Sequence, residues 1–286
     1  MRVFELDARL YTDWIPELWL GRRTKMTNDS RLASSGTRRS AITARALASA
    51  ILVGLVAAVP AGAQTGNGFL FHEPNATFSF RVGYSRANAA SDLFALQQKQ
   101  LTIGPRGFDA LSLGADLGFT VSRRLDVGVS VDGTTRSHGS EYRDWLDNNN
   151  LPIKQTTSLS TFGVTTNLKY NFRDRGRAIS NFAWIPSHYV PYIGVGAGVI
   201  RYDFTQKGDF IDFQTNVVNS DQLNASNWGA MAQVFSGVSY TLSPRYSLLT
   251  EARYTLSSAT LNKDYIELGR IDLSGLSLNV GTSIRF

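Results

Sequence analysis

The chain contains no cysteine. That excludes a disulfide framework, thiolate metal sites and thiol nucleophiles, although it does not by itself place the compartment. Long apolar runs are also missing. After Gln64 no stretch approaches the roughly twenty apolar residues that a membrane helix needs. Nor is there a basic stripe. Of 29 Lys and Arg against 23 Asp and Glu, nine and five fall before Gln64, so the rest carries twenty against eighteen and a surplus of only two. The net charge of +6 therefore resides mostly in the leader, and nucleic acid is not an expected partner.

The leader has a recognisable grammar. Arg31, Arg38, Arg39 and Arg45 precede an apolar run, Ala46 to Val59, which ends in Pro60 and Gly62. A basic segment, a short apolar core and Ala61-Gly62-Ala63 match a secretory signal peptide with cleavage before Gln64. The run is too short for a membrane-anchoring helix. Residues before Met26 fit none of these parts, so translation is expected to start at Met26. The expected division is leader 1–63, a short periplasmic segment 64–75, and a folded part 76–286.

What is present beyond Gln64 is alternation. Ala76 to Arg86 sets Phe78, Phe80, Val82 and Tyr84 against Ser79, Arg81, Gly83 and Ser85. Seven more segments alternate in the same way: 110–121, 125–135, about 156–172, 189–202, 228–242, 246–256 and 273–286. Period two marks strands with one apolar and one polar face. Their connections are short at 122–124 and 243–245 and long at 87–109, 136–155, 203–227 and 257–272, with 173–188 intermediate. An even number of strands, with short turns at one rim and long loops at the other, is the plan of a transmembrane barrel.

A soluble ligand-binding barrel would alternate too, with its apolar face inward. The polar face here is rich in Gly, Ser and Thr, which suits a narrow filled lumen better than a solvated surface. Aromatic residues agree with that choice. Phe78, Phe119, Tyr170, Phe172, Tyr240, Tyr246 and Phe286 gather at one rim, and Tyr84, Phe162 and Trp228 lie nearer the other, as candidate girdles. Local alternation at 210–214 points to a hairpin extending beyond the membrane, with a ten-stranded barrel as the alternative architecture.

The apolar leader, the eight amphipathic segments, PYIGVGAGVIRY, the hairpin SYTLSPRYSLLTEARYT and the final SIRF resemble the small outer-membrane barrels of the OmpA-like group. The resemblance implies an all-β, eight-stranded antiparallel up-and-down barrel, located in the outer membrane after signal-peptide cleavage. Its partners would be outer-membrane lipid and the barrel-assembly machinery, with Phe286 as the assembly signal. It is not specific as to activity; the residues themselves lead to the expectation of no cofactor and no catalysis.

Parity places Arg81, Lys169, Arg253 and Arg285 with Asp116, Asp126, Asp132 and Glu251 inside the lumen. Asp126, Lys169 and Arg285 are expected near the short-turn rim and the other five nearer mid-height, forming ion-paired layers, because unpaired charge in a confined interior is costly. Such layers serve either a satisfied polar core or a narrow gated path. His138 and Ser140 share a strand face and resemble the His-x-Ser of outer-membrane lipid A deacylases, but the motif is short, and Ser140 reads equally as the N-cap of a loop helix through Trp145. His72 and His188 are isolated. Asp203, Asp209, Asp212 and Asp221 could gather calcium but lack EF-hand spacing, and GVGAG lacks the spacing of a dinucleotide site. The functional expectation is a structural or surface-interaction barrel with a mostly filled lumen and partner-facing loops. A small channel or transporter for small or hydrophobic solutes is the alternative, and a lipid-modifying hydrolase a remote one.

Overall fold

A computed structural model describes residues 69–147, 150–180, 183–212 and 217–286. The expected leader, its cleavage site, Met26 and the 213–214 part of the local alternation lie outside these residues.

Eight long strands close on themselves: β1 (Ala76–Ala87), β2 (Ala110–Thr120), β3 (Leu125–Leu146), β4 (Pro152–Asn171), β7 (Tyr189–Asp212), β8 (Val217–Thr241), β9 (Tyr246–Thr260) and β11 (Gly275–Arg285). Each pairs antiparallel with its neighbour, and β1 pairs with both β2 and β11, so no sheet edge remains through the lower half. A hairpin, β5 (Gly176–Ser180) and β6 (Ala183–Pro186), fills the intermediate connection, and β10 (Arg270–Asp272) adds a short strand beside β9.

The outward residues of the lower half form an apolar belt. Val82, Leu113, Val129, Leu168, Val195, Val234, Leu248 and Val280 are all exposed. Along β7 this belt runs from Tyr189 to Val199. Ten steps of about 3.3 Å at a tilt of about 40° rise roughly 25 Å, the height of a bilayer's apolar band. Phe119, Tyr170, Phe172, Tyr189, Tyr240, Tyr246 and Phe286 are exposed around its lower edge, and Tyr84, Phe162 and Trp228 around its upper edge. Among the described residues no helix is long and apolar enough to cross a membrane. The strands do so instead. A closed, even-stranded antiparallel barrel with such a belt and two aromatic girdles is a transmembrane barrel of the outer-membrane type.

The strands are unequal. β3, β4, β7 and β8 have 22, 20, 24 and 25 residues, whereas β1, β2 and β11 have 12, 11 and 11. Four consecutive strands thus rise beyond the belt as a tall wall. This corrects two expected loops, since the described residues of 136–155 and 203–227 are mostly strand. The 210–212 segment continues β7 instead of starting a new strand, so the barrel has eight strands and not ten. Ser140 caps no helix: it lies within β3, opposite Gln155.

Above the belt the polarity inverts, most clearly in β7. In β7, Ile193, Val195, Ala197 and Val199 face out below, and Arg201, Asp203, Thr205 and Lys207 continue that row above. The inward row passes from Gly194, Gly196 and Gly198 to Ile200, Tyr202 and Phe204, all three of which are buried. The last two pack in an apolar core built on the inner face of the tall wall with Tyr142, Ile153, Ile211 and Ala225. The long connections from the short side supply the rest: α1 (Asp92–Gln100) with Leu93 and Phe94, a one-turn 3-10 segment Pro105–Phe108, and a second, Lys263–Leu268, with Tyr265. α1 has no side-chain N-cap bond, and its buried Leu93, Phe94 and Gln97 anchor it. At its length, tertiary packing is what holds it helical.

Candidate functional site

Inside the belt the lumen is crossed by a charge network at mid-height. Arg81 of β1 lies 1% exposed at its centre. Its Nε donates to Asp116 Oδ2 at 2.6 Å, its Nη2 to Asp116 Oδ1 and Asp132 Oδ1 at 2.9 Å each, and its Nη1 to Glu251 Oε1 at 3.1 Å. Arg253 of β9 donates from Nε to Glu251 Oε1 at 2.9 Å and from Nη1 to Asp132 Oδ2 at 3.0 Å. The same Nη1 reaches Gln233 Oε1 at 3.0 Å, and the guanidinium stacks 4.6 Å from the centre of the Phe235 ring.

Three carboxylates face two guanidiniums, and neutral donors offset the surplus negative charge. Tyr192 Oη donates to Glu251 Oε2 at 3.1 Å, and Ser130 to Asp116. Asn167 in turn donates to Ser130, and Gln233 Nε2 to Thr165 Oγ1 and Asn167 Oδ1 at 2.6 and 2.7 Å. The network therefore draws on β1, β2, β3, β4, β7, β8 and β9. Buried charges persist only when paired and hydrogen-bonded in this way. Gly114 makes room for it: a Cβ there would stand 2.6 Å from Asp132 Oδ1 and 2.9 Å from Arg81 Nη2.

A second layer lies at the short-turn mouth. Asp126 and Lys169 face each other across β3 and β4 and pair at 3.3 Å. Asn171 Nδ2 donates to Asp126 Oδ2 at 2.9 Å. Arg175, from the turn before β5, reaches in to pair with Asp126 at 2.9 Å and with Glu73 at 3.6 Å, and bonds Thr120 and the Ser122 carbonyl. Parity could not reveal Arg175, because it lies in a turn. Arg285 differs from the expected pairing. It is buried, but among the described residues it makes no ion pair; Nη1 donates to the Pro244 carbonyl at 3.3 Å and Nη2 to Thr241 Oγ1 at 3.0 Å.

The upper core closes the other mouth, around a polar cluster. Gln97 Nε2 of α1 donates to Gln206 Oε1 at 2.7 Å, Tyr265 Oη donates to the same oxygen at 2.6 Å, and Gln206 donates to Gln155. Burial raises the pKa of the Tyr265 and Tyr142 phenols above the ordinary tyrosine value.

The other sequence candidates do not assemble. His138 and Ser140 share the inner face of β3, but among the described residues no hydrogen bond joins them, and Ser140 Oγ is buried without a partner. Asp203 accepts from Arg201 at 3.3 Å, and Asp209 from Ser220. Among the described residues no three metal-capable side chains group together.

No family model matches the chain, and no curated protein matches it. Among solved structures it is similar to Neisserial surface protein A, at 14% identity over 78% of this chain and all of that one, with a TM-score of 0.43. It is also similar to a major outer membrane protein from Thermus thermophilus, at 12% identity over 74% of this chain and 99% of the other, with a TM-score of 0.41. The outer membrane protein OprG from Pseudomonas aeruginosa is 13% identical over 76% of this chain and 99% of that one, with a TM-score of 0.39.

Proposed function

We propose that the protein is a structural and surface-interaction barrel of the outer membrane, closed to solutes and acting through its tall outer wall. The observation that carries this reading is a double closure. The mid-height network centred on Arg81 and Arg253 crosses the lumen, and the core of α1, Phe108 and Tyr265 fills the long-loop mouth. Above the belt, the wall presents Glu141, Lys154, Arg201, Asp203 and Lys207 on its outer face, a mixed-charge surface at the rim where partners are met. Outer-membrane lipid would surround the belt, and the strand ending at Phe286 would address the barrel-assembly machinery.

The test is planar-bilayer conductance with parallel uptake of small solutes by vesicles carrying the protein. A closed lumen gives no unitary steps and no uptake above empty vesicles. One observation favours a second reading, a narrow gated path. A cavity lies on each side of the network, the lower lined by Ser239, Ser247 and Lys169, the upper by Ser112, Leu159 and Met231. Regular conductance steps that grow when Arg81 is replaced would establish that reading and overturn the first.

A further inference from the structure

The lower cavity holds a cation without a counter-ion. Arg285 is 8% exposed and makes no ion pair among the described residues, and a second guanidinium, that of Arg175, lies beside the same space. Both line the same cavity at the short-turn mouth. Arg175 is committed to Asp126 and Glu73 through its terminal nitrogens, yet its Nε is buried with no hydrogen-bond partner. The Ser239 and Ser247 hydroxyls line the same space. Outside the mouth, Arg123, Arg124 and Arg173 on the adjoining turns and Arg177 on β5 are exposed, and Asp174 is occupied by Arg124 at 2.7 Å.

We infer that this mouth is a binding site for a small oxyanion, such as a phosphate group, held between Arg285 and Arg175. Two partly desolvated guanidiniums facing one cavity repel each other, and an anion between them turns that repulsion into two charge-assisted contacts. A guanidinium fork matches the planar face of a phosphate or carboxylate oxygen pair. The four rim arginines would raise the local anion concentration and speed entry. The mid-height network above lies behind the site and presents a surplus carboxylate, so the anion stops at the mouth. The site goes beyond the surface role proposed above and does not depend on it.

The test is calorimetric titration of inorganic phosphate into the protein folded in neutral detergent micelles, in a phosphate-free buffer of low ionic strength. Saturable one-site binding is expected, weakened at least tenfold in both Arg285→Gln and Arg175→Gln, and within twofold of the original in Arg106→Gln, a control exposed at the opposite, long-loop end. Heat-modifiable gel migration verifies that each variant is a closed barrel. If Arg285→Gln fails to fold, Arg175→Gln, which lies outside the strands, decides the matter. Absence of saturable heat, or unchanged binding in a folded variant, overturns the site and leaves Arg285 as a staple for the 242–245 turn. Repeating the titration in phosphatidylcholine vesicles with and without phosphatidylglycerol separates the sources. Phosphate binding that survives the anionic lipid identifies a free oxyanion, and binding that it abolishes identifies a lipid headgroup at the same arginines.

Discussion

Val199 and Arg201 project from the same side of β7, two residues apart; one belongs to the apolar belt and the other to the polar outer face of the tall wall. The same chain therefore builds two regions end to end, a closed barrel within the belt and a four-stranded wall with its own core above it. In the lower one the interior is polar, with Arg81, Asp116 and Asn167 inside a lipid-facing jacket of Val and Leu. In the upper one the interior is Tyr202, Phe204 and Phe94, and the outside is charged. Hydrogen-bonded backbone continues through both without a break, so strand pairing is indifferent to which face is apolar. What changes is the solvent outside. Lipid gives no hydrophobic drive toward the interior, so the lower barrel must be held by ion pairs and hydrogen bonds, whereas water drives the upper core together.

If that contrast is right, removing a charge should hurt below and removing an apolar group should hurt above. The largest effect is expected from Arg81→Met. It would leave Asp116, Asp132 and Glu251 buried with Arg253 alone, costing about 3–5 kcal/mol in reversible urea unfolding from vesicles. Phe94→Ala should cost about 3 kcal/mol, but locally. The 88–109 connection would become protease-sensitive while the barrel stays heat-modifiable, and loss of the barrel would show that the two halves fold as one unit.

Val280→Arg, at the middle of the belt, should cost about 2–4 kcal/mol, and Thr205→Arg, on the outer face of the wall, about zero. Equal penalties in the same unfolding assay would refute the inversion. The smallest effect is expected from pH. The buried Tyr265 phenol holds its proton more tightly folded than unfolded, so its contribution is intact below about pH 10 and falls as pH rises beyond that. Near-ultraviolet circular dichroism should therefore report loosening of the upper core in alkali before any change in the barrel's far-ultraviolet signal.

The contrast also explains which parts were legible. Alternation such as that around Phe80, Val82 and Tyr84 is readable because lipid tolerates only apolar groups on the outer face. Charged residues of opposite parity then fall inside, as Asp126 and Lys169 do, facing each other at 3.3 Å. Reading apolar as outward fails at Ile200, where the rule reverses, and so the strands were expected to stop near 135, 156, 202 and 228 although all four continue. Phe235 and Leu249 face the lumen against the pattern and are buried there. α1 was hidden because Leu93 and Phe94 gain their value only from Phe108 and the distant wall. Arg175 was hidden because a turn has no parity.

The seam between β1 and β11 has a consequence for assembly. Every other barrel junction joins strands consecutive around a turn, loop or short hairpin, so it can form while the rest of the chain is unstructured. Here the Ser79 and Ser283 hydroxyls meet at 2.8 Å across 204 residues of chain, and the Ala76 and Phe286 backbones exchange bonds of 2.9 and 3.0 Å. A contact of that sequence separation is slow to find. Until it forms, the growing sheet presents two raw edges that would pair with any neighbouring strand. Closure is thus expected to be the last and slowest event in the life of the nascent barrel, the moment when it is most open to capture by a second copy, and the step at which a helper that holds the two edges apart from strangers would gain most.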